Sequence, residues 1–198
     1  MNVNAPDMEE KNNKELFTVT VFSENRVGLL NQISIIFTRR KLNIESLSVS
    51  PSSIQGVHKF TITTWADEPT IAKLVMQIEK RIDVLKSFYY RDDEIVYQEI
   101  ALYKVPTVEL LEEKNLEDII RRHNARILEI TREYTVIEKT GHDDETTALF
   151  EELKRYDIRQ FVRSGRVAIT KSPNEYVTMY IEERARRKEE VERCLKDG

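Results

Sequence analysis

Asn25, Gly28 and Asn43 are the residues of this chain whose types and spacing best suit a chemical task. A carboxamide offers two donors and an acceptor, so a pair of them can hold both charged groups of an amino acid. Gly28 lets the backbone come close to a ligand. The residues after it start a helix, whose first turn leaves N–H groups unpaired and carries the positive end of the dipole; both suit a carboxylate. This set can bind a small zwitterion, and nothing in it activates a nucleophile. Asn43 also has a plainer use, as a left-handed residue where a helix ends.

The elements around these residues follow from apolar periodicity. Phe17, Val19 and Val21 alternate with Thr18 and Thr20, which predicts a strand with one buried face. That strand delivers the loop Ser23-Glu24-Asn25-Arg26-Val27-Gly28 to a sheet edge. Leu29, Leu30, Ile33, Ile36 and Phe37 recur at three- and four-residue steps, so a helix begins near Gly28. Asn43 then precedes Ile44-Glu45-Ser46-Leu47 at the entry to the next strand. A turn-rich stretch, Ser50 to Gly56, leads to a third strand over Val57 to Trp65. Asp67-Glu68-Pro69 opens a second helix, with proline in its first turn and acids near its positive end. Leu85 to Tyr90 supplies the fourth strand. The order is βαββαβ, an α+β fold with a four-stranded antiparallel sheet and two helices on one face. The other face must be covered or paired, which favours a dimer.

The run ENRVGLLNQIS, then LNIESLSVSP, then IDVLK at Ile82 to Lys86, resembles the N-terminal ACT domain of the small, regulatory subunit of acetolactate synthase (acetohydroxyacid synthase). NIESL is the sharpest part. QEIALYKV at Gln98 to Val105 and VRSGRVAI at Val162 to Ile169 resemble the first and closing strands of that subunit's second domain. The resemblance implies a non-catalytic subunit that pairs as a homodimer through its ACT domains. It implies that the subunit activates a large catalytic subunit, a transferase of branched-chain amino-acid biosynthesis, and makes it sensitive to valine. The positions matching the ligand motif are Asn25, Val27, Gly28, Leu29, Leu30, Asn43 and Ile44. No cofactor or metal is expected on this chain; thiamine diphosphate, magnesium and FAD are expected on the catalytic partner. The alternative is a stand-alone ACT-type amino-acid-sensing module serving another enzyme or a transcription system.

The rest of the sequence divides into further segments. Residues 1–14 are polar and predict a disordered tail, 15–92 the ACT domain, and 95–172 a second ferredoxin-like regulatory domain. In the latter, a helix is predicted around Val108 to His123, strands at Ile127 to Thr131 and Tyr134 to Lys139, a helix from Asp143, and extended chain over Ile158 to Ile169. Val162-Arg163-Ser164-Gly165 reads as a turn with Gly165 at a special dihedral. Residues 173–198 predict a charged, solvated helical tail, with packing of its Tyr176 and Tyr180 face inside this chain the favoured reading.

Composition narrows the function classes. Of 198 residues, 40% are hydrophobic and 33% charged, an ordinary globular balance with room for two modest cores. A net charge of −4 argues against nonspecific nucleic-acid binding. Arg39-Arg40-Lys41 and Arg121-Arg122 sit at helix ends, where cations oppose the dipole. The third strand, VHKFTITT, lacks the aromatics an RNA-binding sheet needs. Cys194 is the single cysteine, which excludes an intrachain disulfide and fits a reducing, cytoplasmic setting. No apolar run nears the roughly 20 residues that span a bilayer. His58, His123 and His142 fall in no metal or catalytic spacing. The carboxylates at Asp92 to Glu94 and Asp143 to Glu145 lie beside helix starts, where capping explains them.

Overall fold

The computed structural model describes residues 14–108, 116–174, 177–183 and 186. The chain divides into two compact units, one drawn from Met1–Val96 and Ile169–Gly198, the other from Tyr97–Ala168. The predicted 1–14 tail and the charged end of the C-terminal helix lie almost wholly outside the described residues.

The first unit is built as β1 (Glu15–Glu24), α1 (Leu29–Arg39), β2 (Ser46–Pro51), β3 (Val57–Ala66), α2 (Glu68–Glu79) and β4 (Val84–Tyr90). Its sheet is antiparallel, in the order β2-β3-β1-β4. Alternation in β1 does what it predicts: Phe17, Val19 and Val21 are buried on one face, opposite Thr64, Ile62 and Phe60 of β3. Leu29, Ile33, Ile36 and Phe37 of α1 join them in one core with Ile71, Leu74, Val75 and Ile78 of α2, so both helices cover the same face. Asp67 caps α2 by accepting from the Thr70 N–H at 2.8 Å and the Thr70 hydroxyl at 2.9 Å. These two bonds, the hydroxyl first, lower the Asp67 carboxyl pKa below its usual value.

The open face of this sheet corrects one expectation. Thr18, Thr20, Thr61 and Thr63 alternate onto it, yet all four are buried within the single chain. Residues 177–183 are helical and belong to the same unit; Val177 is buried, and the Lys86 ammonium lies 5.6 Å from the centre of the Tyr180 ring. The face is therefore covered without a second copy and gives no argument for a dimer. The edge of β2 does, because no other described strand pairs with it and Val49 is exposed there.

The second unit repeats the order with β5 (Ile95–Pro106), α3 (Leu116–Arg122), β6 (Arg126–Ile130), β7 (Tyr134–Gly141), α4 (Asp143–Leu153) and β8 (Gln160–Arg163). The sheet order β6-β7-β5-β8 is the same as in the first unit. Ala101, Tyr103 and Val105 of β5 meet Ile119, Ile137, Leu149 and Leu153 in its core. The predicted helix from Val108 falls partly on residues outside the described set; its described part ends at Arg122, before His123. The predicted closing strand is two strands, because β9 (Val167–Thr170) forms after a break and also pairs with β5. Gly165 does not have the left-handed dihedral expected of it: the glycines with positive φ are Gly28 and Gly56. Ser164 makes that turn instead, taking the Ile100 N–H on its hydroxyl at 2.9 Å and donating its own N–H to the Ile100 carbonyl at 2.8 Å.

Candidate functional site

The loop between β1 and α1 is held by its backbone. The Glu24 N–H donates to the Asp83 carbonyl at 2.9 Å, and the Arg26 N–H to the Glu24 carbonyl at 3.0 Å. The Arg26 guanidinium lies 3.3 Å from the Glu24 carboxylate and 3.8 Å from that of Asp83. Gly28 then turns the chain with φ 84° and caps α1 without a side chain. A Cβ built on it would meet nothing within 4 Å, so the glycine answers to its dihedral, and the space above it is open.

The start of α1 differs electrically from the other described helices. α2 begins with capping Asp67 and Glu68, α3 carries Glu117 and Asp118, and α4 has Asp143, Asp144 and Glu145. α1 has no side-chain cap and no acid in its first turn. Its positive end is left for an anion from outside the helix.

Asn25 and Val27 are exposed at this end, Val27 completely, and Leu30 is part-exposed on the first turn. Leu29 points into the core at 1% exposure, so only its backbone faces the loop. Asn43 and half-buried Ile44 lie at the far end of the same sheet: the Thr64 hydroxyl donates to the Asn43 carbonyl at 2.6 Å, and Thr64 is opposite Phe17 in β1. Seven residues separate Phe17 from Glu24 along β1. At roughly 3.3 Å per residue this puts about 23 Å between the Asn43 end and the Asn25 end. One chain brings Asn25, Val27, Gly28, Leu29 and Leu30 together and leaves Asn43 and Ile44 apart.

The left-handed residue that ends α1 is Lys41 at φ 55°, not Asn43. The Lys41 N–H reaches the Thr38 carbonyl at 3.0 Å and the Leu42 N–H the Phe37 carbonyl at 3.1 Å, which completes the helix end. Asn43 is thus released from the plainer role, and its side chain is exposed. β2 starts at Ser46, two residues later than Ile44.

His58, which falls in no metal or catalytic spacing, is a neighbour of this loop across the strands. It stands across from Ser23 in β1 and from Pro51 in β2, on the helix-side face shared with Phe60 and Ile62, two residues from Asn25 along the Ser23 row. Its Nδ1 is buried without a hydrogen-bond partner. Only the strand register could have placed it there.

Several other titratable groups are engaged structurally. Glu145 accepts from the His142 N–H at 2.8 Å, and Glu94 from the Arg91 N–H at 2.7 Å, as capping predicts. His123 is not isolated: its Nε2 lies 2.6 Å from Glu152, which also accepts from Arg122 at 2.6 Å. Among the described residues no cluster of His, Cys, Asp or Glu could hold a metal ion. No described helix is long and apolar enough to cross a membrane.

Tandem ferredoxin-like units, the first with an uncapped helix start after β1, define an ACT-domain protein. The family models agree: residues 19–86 match the AHAS small subunit-like ACT domain, and residues 98–172 match the small subunit of acetolactate synthase. The acetolactate synthase small subunit of Bacillus subtilis is 34% identical over 159 residues, 80% of this chain and 91% of that one. A probable acetolactate synthase small subunit of Archaeoglobus fulgidus is 30% identical over 156 residues, 78% of this chain and 96% of its own. The crystal structure of the acetolactate synthase small subunit from Thermotoga maritima superposes with a TM-score of 0.73 at 25% identity, covering 81% of this chain and 99% of that one. This chain belongs to the acetolactate synthase small-subunit family. Membership gives it a catalytic large subunit as partner.

Proposed function

We propose that this chain is a non-catalytic regulatory subunit that activates the acetolactate synthase large subunit and confers feedback inhibition by valine. The observation that carries the site is the separation of Asn25 and Asn43 to opposite ends of one sheet, with the β2 edge unpaired between them. Two copies pairing antiparallel through β2 bring the start of each strand to the end of its partner's. Pro51, at the end of β2, shares a row with His58 and Ser23. Two strand spacings, about 10 Å, therefore separate the edge from the strand that carries Asn25. Asn43 of one protomer comes to the Asn25–Gly28 loop of its partner.

Valine then lies at the seam. Its carboxylate meets the N–H groups at the start of α1, over the space above Gly28, and the carboxamides of Asn25 and of the partner's Asn43 hold its charged groups. Val27, Leu30 and Ile44 line the isopropyl group, and Leu29 contributes its backbone alone. A pocket of this kind discriminates by only ~1–3 kcal/mol per methylene, so leucine and isoleucine compete. Inhibition requires valine to bind the non-activating arrangement of the dimer more tightly than the activating one. Thiamine diphosphate, magnesium and FAD belong to the catalytic partner.

Mixed variants test the reading. Asn25→Ala and Asn43→Ala homodimers should each lose valine binding by calorimetry. After mixing and subunit exchange, heterodimers carry one seam with both asparagines intact, and binding should return at one site per heterodimer. A site within one chain would recover nothing. The full protein should also raise the rate of the cognate catalytic subunit and lower it again with valine; an unchanged rate would favour the stand-alone module.

A further inference from the structure

Many cations in the described structure lie beside carboxylates. Arg26, Arg91, Arg122, Arg126, Lys154 and Arg155 are among those with one within 4 Å. One groove departs from this. It runs between the last turns of α1 and α2, encloses about 490 Å³, and is lined by Ile36, Arg39, Arg40, Gln77, Lys80 and Arg81. None of its four cations has a carboxylate partner among the described residues. Arg40 gives its guanidinium to the Gln77 carboxamide oxygen at 2.8 Å and the Lys73 carbonyl at 3.4 Å. The Nε of Arg81 is buried with no hydrogen-bond partner.

Opposing the helix dipoles accounts for a cation at the end of each helix. It does not account for four converging on a hollow without an acid, nor for a buried guanidinium nitrogen left unused. In a chain of net charge −4 the groove is a local inversion of sign. Such a surface attracts and orients a complementary acidic one. Guanidinium forks pair carboxylates bidentately, which adds register to attraction.

We propose that this groove docks an acidic segment of the catalytic large subunit. The proposal rests on membership in the small-subunit family, and none of the groove's six lining residues is among those assigned to the valine seam.

The test measures association of the full chain with its cognate catalytic subunit at low and high salt, alongside a Lys80→Glu, Arg81→Glu variant. Wild-type association should weaken as salt rises. The reversed variant should bind at least about tenfold more weakly, at an unchanged thermal midpoint and with valine binding intact. Arg39→Glu, on the exposed end of α1, gives a second reading if the double variant does not fold. Wild-type affinity in the charge-reversed chains would overturn the proposal. Saturable binding of inorganic pyrophosphate with unaltered subunit association would overturn it too, and would make the groove a small-anion site. A wild-type chain that never binds the catalytic subunit would sink both this inference and the regulatory reading, whereas loss of valine binding alone would touch only the seam.

Discussion

Gly28 and Gly56 form a matched pair, and the pair separates backbone strain from ligand contact. Gly28 has φ 84° and Gly56 φ 78°, and a Cβ on either would meet nothing within 4 Å. Gly28→Ala and Gly56→Ala should therefore cost the fold the same amount. Placing Ala at positive φ costs ~1–2 kcal/mol, offset by ~0.4–1 kcal/mol from the stiffer unfolded chain, for a net loss of about 1 kcal/mol. In a unit of this size each kcal/mol moves the thermal midpoint by roughly 4–8 °C. Binding should split the two. Gly56 closes the β2–β3 hairpin, so its variant should bind valine like the parent. Gly28→Ala puts a methyl group into the space assigned to the carboxylate and should weaken binding at least about tenfold, or ~1.4 kcal/mol. Thermal unfolding and valine calorimetry on both variants decide it. Parent-like valine affinity in Gly28→Ala would refute the placement of the ligand; a much larger loss of stability at Gly28 than at Gly56 would mean something other than the dihedral holds that loop.

The other predictions concern what holds each unit together. Tyr103 is fully buried and donates its hydroxyl to the Thr146 carbonyl at 2.6 Å, with burial pushing its pKa up to about 12. Tyr103→Phe should cost about 1–3 kcal/mol of the second unit's stability in urea unfolding, and a neutral result would mean that water replaces the bond. Asp67→Ala should lower the first unit's thermal midpoint and Asp67→Asn should restore most of it, since the carboxamide oxygen also accepts from the Thr70 N–H; equal losses would assign the effect to charge. Burial acts to raise the Glu152 pKa, but hydrogen bonds from His123 and Arg122 outweigh it and the value falls below the ordinary 4.5. The contribution is then present above the unfolded value and lost as pH drops through the folded one, so Glu152→Gln should flatten the acid side of the stability profile. A parallel profile would exclude that carboxylate.

The elements around the site were legible because each rests on local chemistry. Alternation gave β1 its buried face, the spacing of Leu29, Ile33, Ile36 and Phe37 gave α1, and Asp67 with Pro69 opened α2. Elsewhere hydrogen bonds and register that residue type does not reveal decide the outcome. Asn43 was a fair candidate for a helix-ending residue by type, but the hydrogen bonds of Lys41 and Leu42 to α1 set the left-handed position two residues earlier. Gly165 was a fair candidate by type as well, and the Ser164 bonds to Ile100 took over its turn. His58 falls in no metal or catalytic spacing, and only the strand register aligns it with Ser23 and Pro51.

The site resisted sequence reading for a further reason: its parts are adjacent in sequence but far apart in one fold. Eighteen residues separate Asn25 from Asn43 in the chain, and helix α1 between them carries the chain from one end of the strands back to the other. A motif that close in sequence suggests a single cradle. The register between β1 and β3, with the Thr64 bond to Asn43, keeps the two asparagines apart in one chain, and the proposed reading makes each a half-site. Half-sites at opposite ends of a sheet with a free edge strand are what an isologous pair can complete, since the two-fold axis exchanges the ends. An effector held as proposed would bear on the relative placement of two subunits and not only on the shape of one, which is one way to couple its binding to a partner enzyme.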